Sequence, residues 1–229
     1  MAYRTFLAAN TLPRQRGNWF ATGLILLAVG ISSRFVVHYA LPYFGFDPAV
    51  FKDFWPHRTR LIFHISGGIV TLACGPLQFW TGLRRRAMTL HRWTGKAYLA
   101  GVVVGSVGAY SLAIYTRPEG YGLAIMILCT AWILTTAIAY AAILRGLVEL
   151  HRQWMVRSYL VTFAFVTIRL IMEGLPGLTV RLGGTLPERV INVVWLSWIV
   201  PLAIYELILQ SGKILAGERQ VFGAIGSEP

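Results

Sequence analysis

Two short phrases in this chain hold residues able to do chemistry. Leu90-His91-Arg92-Trp93 opens one long apolar run, and Leu150-His151-Arg152-Gln153-Trp154 opens another. With one residue inserted the match continues: Lys96 aligns with Arg157, Tyr98 with Tyr159 and Leu99 with Leu160. Both runs start from stretches rich in arginine and lysine, so both histidines are expected to enter a membrane from the same side at similar depth. Two imidazoles on separate helices at one depth can supply the two axial ligands of a b-type haem. His91 and His151 are the candidate iron ligands on this reading. Arg92, Lys96, Arg152 and Arg157 are suited to pair with haem propionates. Trp93, Trp154, Tyr98 and Tyr159 would wall the macrocycle. The plainer reading of each phrase is an interfacial belt of basic and aromatic anchors. Repetition on helices of like direction is what brings the haem reading level with it.

A second group is expected at the opposite face. His64 sits about one turn into the second apolar run, His38 and Arg34 lie near the end of the first, and Arg169 and Glu173 near the end of the fifth. Ionisable residues within a membrane cost free energy and are functional candidates for that reason. Arg169 and Glu173 are four apart, share a helix face and are expected to pair. The cluster reads either as a polar pocket for a quinone headgroup, an anion or a proton path, or as an ion-pair knot that fixes helix packing. A second haem here would need a histidine in the fourth run. That run offers only Met126, and deeper. Glu206 is expected to snorkel or to pair with an arginine from the inner loops. Gln78 and Asn192 read as interhelical hydrogen-bonding groups.

The elements that must position these residues are apolar helices. Of 229 residues, 56% are hydrophobic and 13% are charged, against about 25% charged in soluble domains. Several runs of about 20 apolar residues point to an integral membrane protein. The reading is an all-α, polytopic membrane helical bundle in one domain. Its six transmembrane helices fall at 19–40, 61–80, 97–115, 121–144, 154–172 and 190–209, with a mobile tail over 211–229. The first run is read as a retained helix, longer than a signal-peptide core. With the N-terminus inside, the inner segments hold 13 lysines and arginines and the outer loops six. Both termini are therefore expected to be cytoplasmic. In the long first outer loop, Asp47-Pro48 is a helix-start signal followed by Phe51, Phe54 and Trp55, which predicts a short interfacial helix. The glycine- and proline-rich segment 174–187 is not expected to be regular helix. Gly101 and Gly105, four apart, predict a tight helix crossing.

The composition also excludes several functions. The net charge of +12 resides mostly in the short segments between apolar runs, so it sets topology and forms no nucleic-acid-binding face. No Cys-x-x-Cys-His occurs, so any haem would be non-covalent. Cys74 and Cys129 lie mid-run and read as small buried hydrophobes. There is no phosphate loop, no HExxH, no GxSxG and no soluble flavin or nucleotide domain, so electrons would come from another protein or a diffusible carrier.

The stretches Gly75-Pro76-Leu77-Gln78-Phe79, Leu90 to Leu99 and His151 to Tyr159 resemble a bacterial family of predicted membrane proteins of unknown function. That resemblance implies a multi-helix membrane fold in a bacterial inner membrane and brings no activity with it. The chain is more distantly similar to the ascorbate-reducible transmembrane cytochromes b. Those have six spans and use histidines of the second to fifth helices for two haems. His64, His91 and His151 match three of the four positions, and the fourth-helix ligand is missing. Three functions are carried forward. One is an electron-transfer protein with one haem b and a quinone-like site. The others are a haem-free accessory subunit of a larger membrane complex and a small-solute or proton transporter using Arg169 and Glu173. Whether the chain is an enzyme is left open.

Overall fold

The computed structural model describes residues 19–84, 87–116, 119–181 and 183–225. Six of the basic residues counted in orienting the chain, Arg4, Arg14, Arg16, Arg85, Arg86 and Arg117, lie outside the described residues. Without water in a bilayer core, every backbone N–H and C=O must be satisfied within the segment, which selects helices. The described residues contain no strand. The helices are α1 (Trp19–Phe35), α2 (Pro48–Phe51), α3 (Arg58–Arg84), α4 (Met88–Ala113), α5 (Glu119–Leu144), α6 (Val148–Thr162), α7 (Ala164–Gly174), α8 (Pro176–Arg181) and α9 (Leu186–Ile225). Among the described residues five helices are long and apolar enough to cross a membrane, and α6 with α7 makes a sixth span bent by 42°.

Four helices form the packed centre: α3 against α4, α4 against α5, α5 against α6, with α9 closing the side of α5, α6 and α7. Tyr98, Leu72, Trp132, Val161, Val193 and Val194 are fully buried there. α1 leans on α3 and buries only Ser32 along its length, leaving most of its apolar surface to lipid. One end of the bundle carries the Leu41–His57 segment and is called here the loop end. The other, where α4 and α6 begin, is the histidine end.

The α3–α4 crossing is the closest in the bundle, and glycines make it so. A Cβ on Gly67 would lie 2.5 Å from Gly101 O and Gly105 Cα, and one on Gly108 would meet the backbone of Arg60 and His64. The expected crossing at Gly101 and Gly105 is present, with Gly67 as its partner on α3.

Several boundaries differ from expectation. α4 begins at Met88 and α6 at Val148, not at 97 and 154, so both histidine phrases are helical. Hydropathy misses these first turns because they are polar. α6 ends at Thr162, where the Thr162 hydroxyl bonds back to Ser158 O at 3.0 Å, a contact that bends helices. α9 continues past 209 to Ile225. The segment 174–187 contains the short helix α8 before Gly183 and Gly184 turn the chain at φ 70° and 76°. The short helix expected after Asp47-Pro48 is α2: the Asp47 carboxylate caps it by accepting from Ala49 N at 2.9 Å, and Phe51, expected to face lipid, is buried against Tyr43 and Trp55 instead.

Candidate functional site

The two histidine phrases take equivalent places at the starts of α4 and α6. Each histidine is the fourth residue of its helix, and its N–H reaches the carbonyl of the residue just before it: His91 to Ala87 at 3.0 Å, His151 to Leu147 at 2.9 Å. The α5–α6 turn sets the second of these. Gly146 adopts φ 73°, its N–H reaches Ile143 O at 3.0 Å, and Leu147 N–H reaches Ala142 O at 3.0 Å. That pair of bonds closes the helix end and launches α6 back alongside α5.

Both imidazoles are held by Nδ1. His151 Nδ1 lies 2.8 Å from Ala139 O. A carbonyl only accepts, so Nδ1 carries the proton and a neutral ring has a bare Nε2. His91 Nδ1 lies 2.9 Å from Thr81 Oγ1. Thr81 Oγ1 also lies 2.7 Å from Leu77 O; when its hydroxyl donates there, it accepts from His91 Nδ1–H, and when it donates to His91, the ring proton sits on Nε2. Both rings are half-buried.

The Gly75–Phe79 stretch of α3 docks both phrases. Gln78 Nε2 donates to His91 O at 2.6 Å and also to Thr94 Oγ1, the interhelical role expected of it. Pro76 has no N–H to offer the carbonyl four residues back. That carbonyl, Leu72 O, takes a long hydrogen bond from the Tyr159 hydroxyl at 3.5 Å. A Cβ on Gly75 would collide with the Tyr159 ring, so glycine makes the slot. Phe79 meets the same ring edge-on at 5.3 Å.

Among the described residues, three of the four basic residues of the phrases, Lys96, Arg152 and Arg157, have contacts within the protein. Arg152 pairs with Glu149 at 2.9 Å, both 61% exposed. Lys96 lies over the Trp93 ring at 4.9 Å, and Arg92 is exposed. Arg157 grips Glu206 with two bonds, Nε to Oε1 at 2.5 Å and a terminal nitrogen to Oε2 at 3.0 Å. Its guanidinium also lies 4.7 Å from the Trp154 ring. The other terminal nitrogen of Arg157 is buried without a hydrogen-bond partner.

Beyond the histidine pair lies a closed polar network that the sequence reading missed. Trp132 Nε1 donates to Thr162 Oγ1 at 2.7 Å, and the Tyr98 hydroxyl lies 2.8 Å from both Thr162 Oγ1 and Ser158 Oγ. Thr136 Oγ1 lies 2.7 Å from Ser158 Oγ. Thr162 and Thr136 commit their protons to the carbonyls of Ser158 and Trp132. Thr162 therefore accepts from Trp132 and Tyr98, and Ser158 donates to Tyr98 or Thr136. Every donor has an acceptor, so the network ties α4, α5 and α6 without an orphaned group.

At the loop end the second group divides. His64 Nδ1 lies 2.9 Å from Gly105 O, so it too carries the proton on Nδ1 and presents a bare Nε2. Its ring meets Phe165 edge-on at 5.0 Å. His64 lines a cavity of about 530 Å³ together with Tyr39, Arg169 and Glu173. A neighbouring cavity of about 280 Å³ is lined by Arg34, Tyr39, Arg169 and Glu173. His38 lines neither and is exposed. The expected Arg169–Glu173 ion pair does not form among the described residues. Tyr39, from the π-helical stretch Val36–Ala40 that continues α1, comes between them. Its hydroxyl donates to Glu173 Oε2, and the Arg169 guanidinium lies 5.2 Å from its ring centre. The i,i+4 rule cannot anticipate a competitor arriving from another helix.

A six-span helical bundle with apolar outer surfaces and buried polar ties defines the class: a polytopic membrane protein. Within that class, residues 61–209 match the model of the predicted membrane protein family DUF2306, and the chain belongs to that family. The match covers α3 from Leu61 on, α4 to α8 entire, and α9 as far as residue 209, with both histidine phrases and the Gly75–Phe79 dock inside it. No curated protein and no solved structure matches the chain. No likeness to cytochromes b is found in these comparisons.

Proposed function

We propose that this protein carries electrons within a membrane and holds one b-type haem at the histidine end through Nε2 of His91 and His151. The observation that supports the reading most is the matched anchoring of the two rings through Nδ1. Two histidines at matched positions on α4 and α6 each anchor Nδ1 on an internal hydrogen-bond partner, Thr81 Oγ1 for His91 and Ala139 O for His151, as second-shell bonds do when they orient an imidazole for a metal. The orphaned terminal nitrogen of Arg157 fits a propionate carboxylate. The bound group would supply one-electron oxidation and reduction. The chain's own part is to hold both rings at fixed depth and to exclude water from the side facing Tyr98. On the sequence's charge balance this end faces the cytoplasm of a bacterium.

The test is a reduced-minus-oxidised visible spectrum of detergent-purified protein, beside His91→Ala and His151→Ala. Sharp b-type bands in the parent, lost in both variants while size-exclusion behaviour is retained, are the expected result. A flat spectrum from cells supplied with haem precursor would overturn the reading and favour the accessory-subunit role. Bands that survive both substitutions would move any haem elsewhere.

A further inference from the structure

The loop-end cavity has a polarity that selects a ligand. At about 530 Å³ it lies within the range of small-molecule sites. Its walls are mainly apolar and aromatic, including Tyr121, Ile125 and Phe165, and polar groups converge at His64 and at Arg169 with Glu173. His64 is the chemical key. Its Nδ1 proton is held by Gly105 O, and the neutral ring can therefore only accept at Nε2. A ligand that satisfies it must bring a donor. A ketone or an ether cannot, because its oxygen would face a second lone pair. We infer that this cavity binds a lipid-soluble phenol or hydroquinone, whose ring lies among the aromatic walls and whose hydroxyl donates to His64 Nε2. A second ring hydroxyl, as in a hydroquinone, has Arg169 and Glu173 as the other polar group of the same cavity. Along α4, His64's partner Gly105 is 14 residues from His91, roughly 21 Å at the helical rise of about 1.5 Å per residue. The site is therefore separate from the histidine pair and stands whether or not a haem binds there.

The discriminating probes are para-decylphenol and para-decylanisole, which differ by one methyl group on the oxygen. Binding is read by thermal stabilisation of the full chain in detergent, with decylbenzene as the hydrocarbon control. The parent should bind the phenol about tenfold more tightly than the anisole or the hydrocarbon, as one hydrogen bond to a buried acceptor warrants. His64→Phe should bring the three ligands level. Gly68→Leu should abolish binding of all three. Gly68 lines the cavity, and a Cβ there meets nothing within 4 Å, so the larger side chain fills space without disturbing the fold. Repeating the measurement in His91→Ala separates this claim from the haem reading: phenol binding should persist there. Equal binding of phenol and anisole by the parent would overturn the proposal, as would a hydrocarbon that binds as well as the phenol, which would mark a slot for lipid chains. Phenol binding unchanged in Gly68→Leu would place the ligand elsewhere and overturn it too.

Discussion

Replacing Gly67 with alanine should unfold this protein at a much lower temperature, whereas the same change at Gly68 should not. A Cβ on Gly67 would sit 2.5 Å from Gly101 O and Gly105 Cα, where carbon contacts are most favourable at about 3.5–4.0 Å. All the atoms it meets are backbone, so no rotamer change relieves the overlap, and α3 and α4 must separate by about 1 Å. A gap of that size forfeits roughly a quarter to a half of each dispersion contact along the crossing. Overpacking of cores costs about 1–3 kcal/mol where side chains can yield. Here they cannot, so a net loss of about 3 kcal/mol is expected even after the helix-propensity gain of about 1 kcal/mol for Gly to Ala. At Gly68 a Cβ meets nothing within 4 Å, and only the propensity gain remains. The two variants should therefore differ by about 4 kcal/mol, roughly 8–16 °C in midpoint for a chain of this size. Thermal unfolding in one detergent, read by loss of the monodisperse size-exclusion peak, measures the difference. Equal midpoints for Gly67→Ala and Gly68→Ala would refute the close α3–α4 crossing and with it the contact between His64 and Gly105 O.

The donor accounting of the central network predicts an order of damage. Thr162→Val keeps shape but strands the Trp132 N–H, at about 2 kcal/mol, since Tyr98 can still donate to Ser158, while Tyr98→Phe strands no donor and should cost about 1 kcal/mol. Chemical or thermal unfolding of the two variants checks it, and a larger loss for Tyr98→Phe would reverse the donor assignment. Glu206→Gln should cost about 2 kcal/mol. It leaves the Arg157 guanidinium, only 12% exposed, without its counter-charge, while the 39% exposure of Glu206 itself holds the effect below that of a fully buried pair. The double variant Arg157→Met/Glu206→Leu should recover most of that loss, and failure to do so would mean that Arg157 stabilises the fold through its ring contacts with Trp154 and Tyr205.

The six spans were legible because a bilayer demands long apolar helices, and the chain supplies six apolar runs. The positions of the histidines within their helices were not. Hydropathy places the starts of the third and fifth spans at 97 and 154, after the charged residues. Hydrogen bonding starts the helices at Met88 and Val148, placing His91 and His151 in ordered first turns. The bend at Thr162 had no proline or glycine to announce it. The reading singled out Gly75-Pro76 as a recognisable stretch without its reason: only the structure brings the Tyr159 ring into the glycine's slot and the Tyr159 hydroxyl to the carbonyl that proline leaves free. Thr81, Trp132, Ser158 and Thr162 looked ordinary one by one. Their importance depends on helix rotation, which a single sequence does not fix at about 100° per residue.

The centre of the bundle bears on which of the three roles the two ends can share. A solute or proton carrier needs a wettable path joining its two faces, in which ionisable or hydrated groups alternate. Between His64 and the histidine pair stand Tyr98, Ser158 and Thr162, all with 0% of their surface exposed, and their hydroxyls are consumed by one another and by the Trp132 indole. Opening that barrier to water would strand several buried hydrogen-bonding groups at once, at about 1–3 kcal/mol each. The Arg169–Glu173 pair on which the transporter reading rested is replaced by separate contacts with Tyr39. The same barrier is no obstacle to electrons, which need packed atoms and no water. Phe165 lies 5.0 Å from the His64 ring and 5.5 Å from Trp132, and Trp132 shares Thr162 with Tyr98. Aromatic rings thus reach from the loop-end cavity into the network, a dry centre that suits coupling between a bound phenol and the histidine pair better than passage of a solute.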